Sequence, residues 1–321
     1  MRDWRIIVLA LSLWSFFSCS KESALPQEQR ALQFSTVESK SNLSLLFTTF
    51  KVWGEVCVAS SSEPLIQGYR VNYINNNNQW SYTQGEGTEG QEMKYWSYSA
   101  DEYRFHAGAP LERVNEITAS SLTLQVNKTR SQDGTTLFTQ PYVVKRGDAQ
   151  FGNTVNLKFT YANCRVNVAV KCKAAQKVTV SNIQLTPPYA VNYPTSCTMQ
   201  LSYDWSRQSI SLTSLTKQSE ANAPLEFAEI TIPAESANSV ESSSPLYMIP
   251  DAGITGQWRA TLKIDGIARE VLFTVDKGWE SGKSYIYSFL YTDQATLLFL
   301  GTETVLFEGE NMKDGGNHNF S

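Results

Sequence analysis

Histidine is nearly absent from this sequence of 321 residues, and so is any surplus of positive charge. Only His106 and His318 occur, which leaves little material for a multi-histidine metal site or for Ser-His and Cys-His catalytic pairs. Charged residues make up 18% of the chain, below the roughly 25% of an average soluble domain. Because the formal net charge is −4, no basic excess is available to neutralise phosphates, and we expect no nucleic acid partner.

The familiar catalytic motifs are missing as well. The chain contains no G-x-S-x-G, H-E-x-x-H, Walker or dinucleotide-binding pattern, and no C-x-x-C spacing that would indicate zinc. Two carboxylates from distant loops could still form a glycosidase-type pair, which keeps a hydrolase as a third interpretation. Our main expectation is a protein with no catalytic residues, no cofactor and no metal ion.

Helical periodicity is also missing after the N-terminal segment, where no window of eleven or more residues has the apolar spacing of a helix. Apolar and polar residues instead alternate in short runs, as at 50–58, 155–161, 197–205 and 285–291. Asp265-Gly266 lies between two such runs and predicts a tight hairpin, and the asparagines at 75–78 predict another. The pattern predicts an all-β fold of packed sheets.

Polar, turn-rich residues at 145–153 separate two groups of predicted strands. We therefore expect two tandem β-sandwich domains, at residues 31–147 and 148–321, the second ending in a polar tail.

The one extended apolar run lies at residues 6–17, after Arg2 and Arg5, and is too short to span a bilayer comfortably. It ends at Ser18, directly before Cys19, which is the layout of a bacterial lipoprotein signal, although Phe16 stands where such signals usually carry Leu. We expect a signal peptide at residues 1–18, lipid on Cys19, and a polar tether at residues 19–30 that anchors the chain to a membrane it does not cross. The alternative is an ordinary secretory signal with an incidental cysteine.

The remaining cysteines, Cys57, Cys164, Cys172 and Cys197, are expected to be small buried residues. Cys164 and Cys172 fall on the inward face of one predicted strand, about 26 Å apart at about 3.3 Å per residue. A disulfide needs Cα atoms within about 7 Å, so these two cannot bond each other, while the disulfide state of the four together stays open.

An aromatic group in the first half allows a different interpretation. Trp80, Tyr95, Trp96 and Tyr98 could form a flat platform on which sugars stack, or they could pack into a sandwich core, as Trp and Tyr usually do.

Several segments, taken in order, resemble the fimbrillin-like subunits of lipoprotein-derived pili. The resemblance covers most of the chain after Cys19. Its residues are FSCSKE around Cys19, ALQFST at 31–36, FTTFKVWG at 47–54, NNNNQWSY at 75–82, KYWSY at 94–98, EYRFHAGAP at 102–110, the strand pair at 155–170, YMIP at 247–250 and WESGKSYIYSF at 279–289. One departure is that the family usually has His where Ala162 or Tyr161 stands in this sequence.

This resemblance implies two transthyretin-like β-sandwiches and assembly by strand exchange. In the family, a trypsin-like protease cuts after a basic residue and removes the first strand, and a strand of the next subunit fills the groove. Here the removable strand would be residues 32–37, with Leu32, Phe34 and Val37. The cut would follow Lys40, where the family usually has Arg; Arg30 is the other basic candidate, but a cut there would release only the tether.

The resemblance further implies a C-terminal donor strand, for which the alternating stretches within residues 296–307 are the candidates. We thus expect a structural or accessory pilus subunit at the outer membrane or cell surface with a role in adhesion. Its partners would be other pilus subunits, the membrane through the lipid anchor, and a host or bacterial surface ligand. The alternative is a monomeric glycan-binding surface lipoprotein.

The lipid assignment predicts that Cys19→Ser abolishes fatty acid attachment, because the sulfur that carries the diacylglyceryl group is lost. Labelled palmitate incorporation and partition into detergent measure the effect. The matched variant Cys57→Ser should keep the label, and a labelled Cys19→Ser protein would contradict the assignment.

Overall fold

The computed structural model describes residues 30–36, 46–74, 79–172, 174–234, 236–292 and 294–307. These residues form twenty-three β-strands and three short 3-10 helices, with no α-helix among them, so the all-β prediction is confirmed. No helix in this described part has the length and apolar character needed to cross a membrane.

The strands of the first half are Phe34–Thr36 (β1), Thr49–Val58 (β2), Ser61–Ile74 (β3), Gln79–Ser81 (β4), Glu102–Ala109 (β5), Val114–Ile117 (β6), Ser121–Asn127 (β7), Leu137–Thr139 (β8), Tyr142–Lys145 (β9), Val155–Leu157 (β10) and Phe159–Tyr161 (β11). The others are Cys164–Cys172 (β12), Val178–Thr186 (β13), Tyr193–Asp204 (β14), Ser209–Ala221 (β15), Leu225–Phe227 (β16), Ile230–Ile232 (β17), Val240–Glu241 (β18), Leu246–Met248 (β19), Gly256–Ile264 (β20), Ile267–Val275 (β21), Lys283–Tyr291 (β22) and Leu297–Leu306 (β23). The 3-10 helices are Leu111–Arg113, Gln132–Gly134 and Ala252–Ile254.

A nine-stranded sheet forms most of the first half, in the order β10-β1-β4-β3-β2-β5-β8-β11, with β9 beside β5. The two strands at its ends, β10 and β11, are separated only by Lys158. β10 pairs in parallel with β1, and β11 pairs antiparallel with β8. The single strand predicted at 155–161 is therefore wrong in detail, because its two halves pair with opposite edges of one sheet.

The inner face of this sheet encloses an aromatic core. Phe34, Phe50, Trp80, Trp96 and Phe105 are all buried there. Their rings meet mostly edge-on or tilted, which is the arrangement aromatic pairs prefer over face-to-face stacking.

Two five-stranded sheets pack against each other in the second half. Their orders are β18-β12-β22-β23, with β19 beside β12, and β16-β13-β20-β21, with β17 beside β13. The inward residues of β12, from Cys164 to Cys172, are buried in the core between the two sheets, as the alternation predicted. At the β20–β21 hairpin, Asp265 and Gly266 have φ of 47° and 84°, the two positive values that a type I′ turn requires.

A fourth sheet, β15-β14-β7-β6, joins the two halves. The β14–β15 hairpin follows β13 of the second half, yet β14 pairs with β7 of the first half through seven residue pairs. A third core, which includes Leu124, Phe138 and Met199, lies between this sheet and the outer face of the nine-stranded sheet. The domain division after residue 147 stays a prediction, and the strand pairing does not follow it, because β10, β11 and β14 all pair with strands that precede residue 147.

His106 is fully buried between these two sheets. One ring nitrogen, Nε2, lies 2.7 Å from the carbonyl oxygen of Thr118, and the imidazole packs 4.1 Å from the ring of Tyr203 between centroids. Burial lowers the pKa of His106 from 6.5 to about 3, against the opposing effect of the Thr118 hydrogen bond. The folded protein thus holds this histidine neutral.

We expect acid to destabilise the fold through His106. In the unfolded chain the imidazole of His106 is protonated near pH 6.5, whereas in the folded chain it is protonated only near pH 3. The free energy of unfolding therefore falls as the pH decreases between these values. Relative to His106→Gln, the wild-type free energy of unfolding should lose about 1.4 kcal/mol more per pH unit between pH 6 and 4. Urea denaturation at several pH values measures the difference, and parallel profiles would contradict it.

Candidate functional site

Residues 30–36 run between backbone partners on both sides. On one side, the carbonyl oxygen of Gln33 accepts a 2.8 Å hydrogen bond from the amide of Val155 in β10. On the other side, the amide of Leu32 donates to the carbonyl oxygen of Lys94 at 2.8 Å. The amide of Trp96 donates to the carbonyl oxygen of Arg30 at 3.0 Å. The segment is therefore inserted into the structure and does not lie at a free edge.

Two side chains of this segment fill the aromatic core. Leu32 is completely buried and Phe34 is 3% exposed, whereas Gln33 between them is exposed. The ring centroid of Phe34 lies 5.7 Å from those of both Tyr82 and Phe105. Leu32 and Phe34 of the predicted removable strand therefore face the interior, and Val37, its third residue, lies outside the described residues.

The hydroxyl group of Tyr82 holds the segment at a point where β4 no longer pairs with it. It donates to the carbonyl oxygen of Leu32 at 3.0 Å and accepts from the amide of Lys94 at 3.0 Å. Burial raises the pKa of Tyr82, with the Lys94 backbone contact acting in the opposite direction, so the phenol stays protonated and able to donate. Sequence reasoning missed this residue as part of the site.

Of the two candidate processing residues, Arg30 and Lys40, only Arg30 lies among the described residues. Arg30 is exposed, and its Nη1 donates to Oδ1 of Asn153 at 3.4 Å. The bond after Arg30 lies within paired backbone, since Ala31 forms a β-bridge with Tyr95, and proteases prefer exposed loop tips. Lys40 and the lipidation candidate Cys19 lie outside the described residues.

The donor candidate corresponds to β23, the last strand in the order of its sheet. Of its ten residues only Leu297 is buried, while Leu298, Leu300 and Leu306 are exposed. Phe307, directly after the strand, stacks on Tyr161 of β11 with ring centroids 4.0 Å apart. A long edge strand with exposed leucines is a template for pairing with another chain.

The aromatic platform is not formed. Trp80 and Trp96 are 7% and 2% exposed in the core, while Tyr95 is exposed and Tyr98 half-buried. The hypothesis of a flat four-ring surface is therefore wrong, because its two largest rings stabilise the interior.

The four described cysteines are buried and form no disulfide with one another, which confirms their predicted place in the interior. Burial raises the pKa of Cys57, and it raises that of Cys197 to about 12. These thiols stay protonated at neutral pH and act as small apolar residues.

The chain belongs to the fimbrillin-like family, whose sequence model matches residues 55–305. Its fold is similar to that of a fimbrial protein from Bacteroides vulgatus, with a TM-score of 0.55 and 12% identity over 87% of this chain and 99% of that one. It is also similar to that of a proposed cell adhesion protein from Bacteroides uniformis, with a TM-score of 0.50 and 13% identity over 87% of this chain and 99% of that one. No curated protein matches this sequence.

The burial of the first strand predicts that Phe34→Ala lowers the free energy of unfolding by about 3–5 kcal/mol, the usual cost of truncating a buried phenylalanine. Chemical denaturation of the uncut chain measures it. Gln33→Ala, on the exposed face of the same segment, is the matched control and should change stability by less than about 0.5 kcal/mol. Equal effects of the two variants would contradict the inserted arrangement.

Proposed function

We propose that this chain is a structural or accessory subunit of a surface pilus, assembled by exchange of its first strand for a strand of another subunit. Membership of the fimbrillin-like family and a fold shared with a protein described as fimbrial support the role. The proposed role is mechanical and adhesive, with no catalytic step, and it implies a location at the cell surface.

The observation that carries the proposal is the insertion of β1 between β10 and β4. Adjacent strands lie about 4.8 Å apart, so removal of β1 would leave two strands roughly 10 Å apart, a gap of one strand. β10 continues into β11, which stays paired with β8, and β4 stays paired with β3, so both walls of the gap keep their partners. The gap would hold unpaired backbone groups and the emptied sites of Leu32 and Phe34, which a new strand would satisfy.

The strand that fills the gap in this proposal is β23 of another copy. Its exposed leucines and its position at the end of its sheet support this choice. Because donor and acceptor are different parts of the subunit, the contact is head-to-tail and does not close, so repetition produces a filament.

Export and processing complete the proposal. Cys19 carries lipid on the precursor, which holds it at the outer membrane, and a cut after Lys40 releases residues 19–40 together with β1. Arg30 is the weaker processing candidate because the bond after it lies in paired backbone.

Limited trypsin digestion of the purified, unlipidated chain tests this function. We expect an SDS-resistant ladder of oligomers whose subunits begin at Ser41. Lys40→Gln should abolish the ladder, and Arg30→Gln, the matched control, should retain it.

The opposite result is equally specific. Cleaved chains that have lost residues up to Lys40 but remain monomeric would contradict strand exchange. If those monomers were also retarded in affinity gels containing polysaccharide, the glycan-binding alternative would replace the pilus subunit.

A further inference from the structure

A groove of about 420 Å³ lies alongside the first strand, between β1 and β4. It exists because these two strands form only one residue pair, Phe34 with Trp80. Beyond that pair the chain leaves β4, and Leu32 is bonded to Lys94 and to the Tyr82 hydroxyl group instead. Strand pairing is therefore incomplete between β1 and β4, whereas β10 pairs with all three residues of β1 on the other side.

The groove has the chemistry of a place for a peptide backbone. Its apolar lining includes Ile74, Trp80 and Met93, and its polar lining consists of hydroxyl and amide groups such as those of Gln79 and Ser81. None of the described residues that line it is charged. Such a lining fits an extended, nearly uncharged strand better than a charged ligand.

We propose that this groove is the initial docking site for the incoming strand, so that β23 of a second copy binds along residues 79–84 before β1 leaves. The inference rests on the proposed function and specifies how the exchange begins. Exchange then proceeds by displacement, residue by residue, and the acceptor core is never left empty.

The occupant follows from the composition of β23. Its sequence, LLFLGTETVL, has a single charged residue, Glu303, and its exposed leucines suit the apolar part of the groove. At about 3.3 Å per residue, the three residues of β4 offer roughly 10 Å of extended edge, against about 33 Å for the ten residues of β23. Only part of the donor can therefore dock while β1 is in place, and the remainder must wait until β1 departs.

Displacement is also the less costly order of events. If β1 left first, the sites of Leu32 and Phe34 and the backbone groups of β10 would all lose their partners at once. A strand already bound beside β1 replaces these contacts as they break.

The rate of strand release tests the proposal. A chain with a specific cleavage sequence inserted after Lys40, and a dye on its amino terminus, is cut and then mixed with a synthetic peptide of residues 296–307. Fluorescence anisotropy reports release of the cut segment. We expect release with peptide to be at least tenfold faster than release on dilution without peptide, and to rise with peptide concentration.

Blocking the groove provides the matched comparison. Ser81→Trp places a large ring in the groove and should remove the acceleration, whereas Ser211→Trp, an exposed serine in β15, should leave it unchanged within twofold. A scrambled peptide should not accelerate release. If Ser81→Trp does not fold, the wild-type comparison of release with and without peptide decides.

The outcomes separate the two proposals. Peptide incorporation that never exceeds the dilution rate, or equal acceleration by the scrambled peptide, overturns the docking site and leaves strand exchange intact. A cut chain that incorporates no peptide at any concentration overturns strand exchange itself, and the docking site with it.

Discussion

One continuous segment, residues 155–161, forms both end strands of the nine-stranded sheet, β10 and β11. The rest of the first half depends on this constraint. Through β10 it holds the first strand, and through β11 it holds β8. Tyr161, at its end, also stacks on Phe307 beyond the last strand. The segment therefore connects the first described strand to Phe307, the last described residue.

The first strand contributes to the protein in two separable ways. Its backbone joins β10 to the strands on the other side, and its side chains, Leu32 and Phe34, complete an aromatic core. Neither contribution depends on covalent continuity with β2. A strand from another molecule with the same backbone direction and alternating apolar residues could supply both, which is why an inserted strand is compatible with assembly.

Local signals in the sequence predicted a large part of this architecture. Alternation identified the buried face of β12, and Asp265-Gly266 identified a turn whose φ values depend only on neighbouring residues. The break at Lys158 and the pairing of Leu32 with Lys94 could not be predicted, because the partners lie far away in sequence and alternation does not say which strand pairs with which. The hydrogen bonds of Tyr82 to Leu32 and Lys94 could not be predicted either, because a tyrosine that only packs in the core and one that also forms hydrogen bonds look alike in a sequence.

The β14–β15 hairpin has a mechanical consequence. It is covalently part of the second half, its sheet includes β7 of the first half, and Nζ of Lys217 in β15 lies 3.0 Å from Oδ2 of Asp251. To twist one half against the other, the seven residue pairs between β7 and β14 would have to shear together. Torsion and bending in a fibre of such molecules would thus concentrate at the junctions between them, and each molecule would move as one stiff unit.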